Sequence, residues 1–235
     1  MKPIIGIVGR AETESDKMPV SCIYDDYRNC IIKSGAVPIG ILPPQNLHYI
    51  HHNPLNIKKL TNKEKDILNS ELELCDGIIL QGGYTWFEYD SYVLEYALKN
   101  NMPTLGICLG MQLIANYMTN DDKIIDKTYA IKSNINHSNN THLITINKDS
   151  LLYSILLKEE ITVNSYHKTR IIDNKSIVKA YAQDNTPEVV EIHDKAFILG
   201  VQWHPEKNYD DDENSKKIFK SFIDAAKTYK LSKRN

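Results

Sequence analysis

The stretch Pro103-Thr-Leu-Gly-Ile-Cys-Leu-Gly-Met-Gln112 decides the fold of this chain. Residues 103–107 form an apolar run too short for a helix and suited to a strand buried on both faces. Residues 109–118 read as a helix, and no turn residue separates the two. A strand that runs straight into a helix must turn at one residue, here Cys108, which has a glycine two positions away on each side, Gly106 and Gly110. This G-x-nucleophile-x-G arrangement sets a side chain on a sharp turn whose small neighbours let backbones approach closely. The thiol then lies at a helix N-terminus, where the dipole and unpaired N–H groups stabilise the thiolate, the nucleophilic form. The N–H of Leu109 points where an oxyanion would develop.

The same alternation extends on both sides. Residues 3–8 read as a buried strand ended by Gly9, residues 24–34 as a helix stopped by Gly35, and residues 36–42 as a strand closed by Pro43-Pro44. Residues 63–74 look helical, 76–80 extended and 90–100 helical again. The polar segment 45–62 has no period and reads as an irregular loop walling the site. From residue 142 the chain turns extended: 142–146, 161–164, a hairpin of 177–183 with 188–193, and 197–202, before a closing helix over 212–229. Repeated βα units with short connections predict an α/β fold in three α/β/α layers, with a central, mostly parallel sheet, as one domain over 1–235.

Composition agrees. In 235 residues, 42% are hydrophobic and 25% charged, which excludes disordered and fibrous classes, and a net charge of −2 argues against a nucleic-acid or anionic-membrane surface. The four cysteines, Cys22, Cys30, Cys75 and Cys108, form neither a CxxC pair nor a zinc-like cluster with histidine. With no apolar run of bilayer length and too short an apolar start for a signal peptide, a reducing, cytoplasmic setting is expected. Outside Cys108, the cysteines read as packing residues.

A nucleophilic cysteine needs an imidazole base and a group that fixes the imidazole. His204 follows the strand 197–202 directly and continues as His204-Pro205-Glu206, so proline holds a carboxylate at a constant offset from the ring. Strand ends of parallel sheets are where sites gather. His48, His51, His52, His137 and His193 read as loop or turn residues. Gly82-Gly83 ends the strand 77–80, and two glycines permit φ > 0 and N–H groups that converge on an anion. Tyr84, Trp86, Phe87 and Tyr89 would add an aromatic wall, and the alternative reading is a loop packed on the core.

In that order, Gly82-Gly83, Gly106-Ile-Cys-Leu-Gly-Met-Gln112 and Gly200-Val-Gln-Trp-His-Pro-Glu206 resemble the class I glutamine amidotransferase-like superfamily, whose fold is flavodoxin-like. Val163-Asn-Ser-Tyr-His167, and His142-Leu143 with Ser150, are similar to segments of its γ-glutamyl-γ-aminobutyrate hydrolase-like branch, peptidase C26. The resemblance implies Cys108 as nucleophile, His204 as general acid/base and Glu206 as its orienting carboxylate. It implies an oxyanion hole from the Gly83 and Leu109 N–H groups, and substrate contacts from Gly82, Gln112 and the Ser165-Tyr166 backbone. Departures are Tyr84-Thr85-Trp86 where an Asp is common, Leu109 where an Arg is common, and Lys168 where a second histidine is common; His142 and His167 read as structural.

The implied activity is cleavage of a small γ-glutamyl amide to glutamate and an amine through a γ-glutamyl thioester. No metal or organic cofactor is expected, and neither nucleic acid nor membrane; a homodimer is allowed. The alternatives are a glutaminase subunit that feeds ammonia to a synthetase partner, and a non-catalytic binding protein on the same fold.

Overall fold

The computed structural model describes residues 1–13, 18–45, 59–128, 133–192 and 197–233. Its strands are β1 (Ile4–Val8), β2 (Arg10–Thr13), β3 (Pro19–Cys22), β4 (Val37–Ile41), β5 (Gly77–Leu80), β6 (Thr104–Ile107), β7 (Ile125–Asp126), β8 (Asn140–Ile146), β9 (Glu160–Ser165), β10 (Arg170–Ile171), β11 (Val178–Ala182), β12 (Pro187–Glu191) and β13 (Ile198–Val201). The helices are α1 (Asp25–Lys33), α2 (Asn62–Glu73), α3 (Glu88–Lys99), α4 (Leu109–Thr119), α5 (Leu151–Leu156) and α6 (Glu213–Ser232).

Nine strands form one sheet in the order β4-β1-β5-β6-β13-β12-β11-β8-β9. The half from β4 to β13 is parallel, and every pairing from β13 to β9 is antiparallel. The parallel strands read as continuous apolar runs because both faces are covered. Successive residues serve opposite layers: Ile79, Leu105, Ile107, Leu199 and Val201 pack with Tyr27, Ile31, Phe219 and Phe222 of α1 and α6. Ile78, Leu80 and Ile198 pack with Leu68, Leu72, Val93, Leu94, Met111 and Ile114 of α2, α3 and α4. Each fully buried aliphatic side chain contributes about 1.5–3 kcal/mol.

The expected α/β architecture is present, and its elements fall within a few residues of the sequence boundaries. The β2–β3 hairpin, the short β7–β10 pair and helix α5 escaped the pattern. The β2–β3 hairpin is made of Arg-Ala-Glu-Thr paired with Pro-Val-Ser-Cys, which has no apolar alternation to reveal it. Helix α5 is a single short turn-and-a-half whose first N–H groups, Leu151 and Leu152, donate to the buried Glu191 carboxylate. Most of the 45–62 segment lies outside the described residues, as does His193. No helix among the described residues is long and apolar enough to cross a membrane.

Parallel strands all end at one edge of the sheet. β9 is four places from β13 in the sheet, yet Asn164 near its end bonds both the N–H and the C=O of His204, at 2.8 Å each. The antiparallel wing therefore bends over the C-terminal edge of the parallel half and closes one side of the cleft there.

Candidate active site

Helix α4 begins at Leu109, one residue after β6 ends. Cys108 makes the whole transition with φ 53° and ψ −103°, a conformation that costs roughly 1–3 kcal/mol and is held by its surroundings. Its N–H donates to the Val201 carbonyl at 2.8 Å, pinning the turn to β13. The flanking glycines are steric requirements. A Cβ on Gly110 would stand 2.1 Å from the Leu80 carbonyl oxygen, and one on Gly106 2.7 Å from the backbone of Gly110. The Cys108 sulfur thus faces the cleft from the first turn of α4, where N–H groups have no intrahelical acceptor.

His204 follows β13, and its Nδ1 lies 2.5 Å from Glu206 Oε1. Pro205 opens a short 3₁₀ turn that brings the Glu206 carboxylate back to the ring. Burial opposes a charge on His204; the Glu206 carboxylate and then the Cys108 side chain outweigh it, and the imidazole is pushed up to about 10. Glu206 itself is buried, with the Tyr27 hydroxyl against its carboxylate. Cys108, His204 and Glu206 therefore form one connected set.

The glycine pair behaves differently from the expectation. Gly35 is the only glycine among the described residues with positive φ. Gly82 and Gly83 are required for space instead: a Cβ on Gly82 would lie 2.9 Å from the His204 ring, and one on Gly83 3.0 Å from the Arg10 side chain. The Gly82 N–H donates to the Tyr27 hydroxyl at 2.9 Å, so the pair does not turn two N–H groups to one anion. Gly83 packs beside the Leu109 side chain, whose Cδ2 would lie 3.3 Å from a Cβ placed on the glycine. Beneath it, buried Arg10 pairs with buried Asp90, which also accepts the Phe87 N–H. Gln81 ties the hairpin in, donating to the Val8 and Cys22 carbonyls and accepting from the Tyr24 N–H.

A cleft of about 590 Å³ lies over the sulfur, lined among others by Gly82, Gly83, Gln112, Tyr166, Lys168 and Lys207. Gln112 reaches the wall, but its amide is engaged by Thr169 and by Gln202 Oε1 at 3.0 Å. Tyr166 stands edge-on to the His204 ring at 5.7 Å. Ser165 is fully buried behind the wall, with its hydroxyl donating to the His137 carbonyl, so only its neighbour meets the cleft. Of the two readings of the aromatic run, the core-packed one holds for three residues: Tyr89 is wholly buried and Trp86 and Phe87 pack on the core, leaving Tyr84 alone of the four on the cleft. The aromatic rim is Tyr24, Tyr84 and Tyr166, drawn from three separate segments. Asn164, Tyr27 and Arg10 were missed as positioning residues. Asn164 sat inside a quoted motif, and nothing local marked the other two.

Cys30 and Cys75 are buried, and burial pushes the Cys75 thiol up to about 12 and the Cys30 thiol higher. They are packing residues, as expected.

A strand-to-helix nucleophile turn joined to a histidine and a carboxylate after the next strand defines a class I glutamine amidotransferase-like protein. The peptidase C26 model matches residues 87–206, and the chain belongs to the peptidase C26 family. The protein NtpR of Enterococcus hirae is 31% identical, over 95% of this chain and 99% of its own length. A glutamine amidotransferase-like protein of Rickettsia prowazekii is 26% identical, over 96% and 98%. Among solved structures, the glutaminase domain of Trypanosoma brucei CTPS superposes with a TM-score of 0.69 at 17% identity, covering 97% of this chain and 94% of that one.

Proposed function

We propose that this protein is a cysteine-dependent hydrolase of γ-glutamyl amides, releasing glutamate and an amine. Cys108 attacks the δ-carbonyl, and the Gly83 and Leu109 N–H groups hold the tetrahedral oxyanion. His204, already protonated at neutral pH, gives its proton to the departing amine and leaves a γ-glutamyl thioester. The neutral ring then takes a proton from water as the water attacks the thioester, and glutamate leaves with the Cys108 thiolate and the His204 imidazolium restored. Glu206 stabilises the imidazolium and Asn164 fixes the backbone beneath it. The observation that carries this reading is Cys108 at φ 53° on a helix N-terminus, with His204 tied to it and to Glu206.

The rim of Tyr24, Tyr84 and Tyr166 supports an amine half with an apolar or ring-bearing stem. A glutaminase role beside a synthetase is the second reading. CTP synthases are among the relatives, one from Borreliella burgdorferi at 28% identity, but this chain covers only 40% of it. Amine release from a panel of γ-glutamyl amides and free glutamine decides between them. Turnover of several amides by the protein alone supports the hydrolase, and activity on glutamine alone that rises only with a partner points to the glutaminase.

A further inference from the structure

Beside the cleft wall, four chain segments converge on one carboxylate oxygen. Glu188 Oε1, from β12, has His142 Nε2 of β8 at 3.1 Å, His167 Nε2 at 3.5 Å and His137 Nδ1 at 3.7 Å. His137 Nδ1 and His167 Nε2 are 3.1 Å apart. All four residues are buried, and the donor atoms of His137, His142 and Glu188 lie within 4.8 Å of one another. The rings fan out instead of stacking: that of His137 is inclined by 61° to His142 and by 52° to His167.

The outer nitrogens set the tautomers. His137 Nε2 faces Asp184 Oδ2 at 3.3 Å, and His167 Nδ1 faces the Thr169 carbonyl at 2.9 Å. Both partners are acceptors, which favours the tautomer with the proton on each outer nitrogen and a lone pair on the inner one; on that inner side Ser165 Oγ also lies 3.2 Å from His137 Nδ1. This is the pattern by which a carboxylate or a main-chain carbonyl orients a metal-ligating imidazole.

The charge balance points the same way. Glu188 is fully buried, and its ion-pair partners among the described residues are imidazoles alone. Its Oε2, like His142 Nδ1, has no hydrogen-bond partner. A buried carboxylate calls for a cation. A tetrahedral Zn²⁺ with bonds near ~2.0–2.1 Å spaces its donors about 3.3 Å apart. The four contacts of 3.1, 3.1, 3.5 and 3.7 Å bracket that spacing.

We propose that His137, His142, His167 and Glu188 bind a divalent transition metal, Zn²⁺ by the donor set of three nitrogens and one oxygen. A cavity of about 260 Å³ lined by residues 133–138 and His167 adjoins the site and supplies a route for the ion. Four protein donors close the coordination sphere, the arrangement of a structural site and not a catalytic one. The ion cross-links β8, β12 and the 133–139 segment to the chain just after β9. β9 carries Asn164, which holds His204, and the chain just after it carries Tyr166, which lines the cleft.

The test uses the full chain with any affinity tag removed. It is stripped with a strong chelator, then titrated with Zn²⁺ against a chromophoric competitor, and separately with Co²⁺ read by its visible d–d absorption. The expected result is one equivalent of Zn²⁺ per chain, a Tm rise of about 5 °C or more, and a tetrahedral Co²⁺ spectrum. Glu188→Gln and His137→Asn should weaken binding by at least ~10-fold, while Cys108→Ser and His204→Asn bind as the parent does. Absence of a stoichiometric Zn²⁺ equivalent in the parent protein overturns the proposal, whatever the variants do. So does binding lost in Cys108→Ser or His204→Asn, which would place the ion on the cysteine–histidine pair instead.

Discussion

The parallel half of the sheet and its antiparallel wing solve different problems. In the parallel half, function sits where a strand ends and the next element begins, so Cys108 and His204 are each placed by a few neighbouring residues. In the wing, function arises where distant segments meet: Asn164 on His204, or His142 and Glu188 two strands apart across β11. Local geometry aims the Cys108 thiol, and long-range closure holds His204. The two regions should therefore fail in different ways when mutated.

The largest expected effect is Cys108→Ala, which removes the nucleophile and should lower turnover of γ-glutamyl amides by ~10⁴-fold or more with the circular dichroism spectrum unchanged. Full activity in that variant sinks the proposed chemistry. Next comes Gly110→Ala, whose Cβ would meet the Leu80 carbonyl oxygen at 2.1 Å. The strand and helix must part, at a cost of roughly 3 kcal/mol or more in urea unfolding. By comparison, Gly35→Ala meets nothing within 4 Å and should cost about 1 kcal/mol for its positive φ alone.

Asn164→Ala sharpens the contrast from the other side. It leaves the sulfur in place and frees the His204 backbone, so kcat should fall by about 10²-fold with little change in KM. A loss seen in KM alone would show that the wing shapes substrate binding and not the base.

The smallest effect is on pH dependence. The His204 imidazole sits at about 10 in the folded protein against 6.5 in the unfolded chain. Its contribution to stability is therefore fully present below pH 6.5 and is lost as pH rises toward 10. In Glu206→Gln the main attraction is removed, so the decline of urea midpoint between those pH values should flatten. An unchanged slope would mean that the carboxylate does not set the imidazole's proton affinity.

The contrast also explains what the sequence disclosed. Cys108 between Gly106 and Gly110, and His204-Pro205-Glu206 after an apolar strand, are legible because the constraint lies within five residues. The same holds for the buried strands, which betray themselves as short apolar runs. Arg10 is invisible because the β2–β3 hairpin is polar, and its partner Asp90 reads as an ordinary first-turn helix acid. His137 and His142, taken one at a time, look like turn and packing residues; only β12 brings Glu188 to them. The Tyr84–Tyr89 segment left two readings open because a dense aromatic run has no direction in sequence, and most of it faces the core.

One feature of the wing bears on heat. The two hydrogen bonds from the Asn164 amide to the His204 backbone are made by a strand at the far edge of the sheet. Edge strands open at lower free energy than central ones, so β9 can detach while the parallel core stays folded. The enzyme would then carry a thermal fuse: on warming, activity falls several degrees before the core melts, and it returns on cooling because the nucleophile turn was never lost.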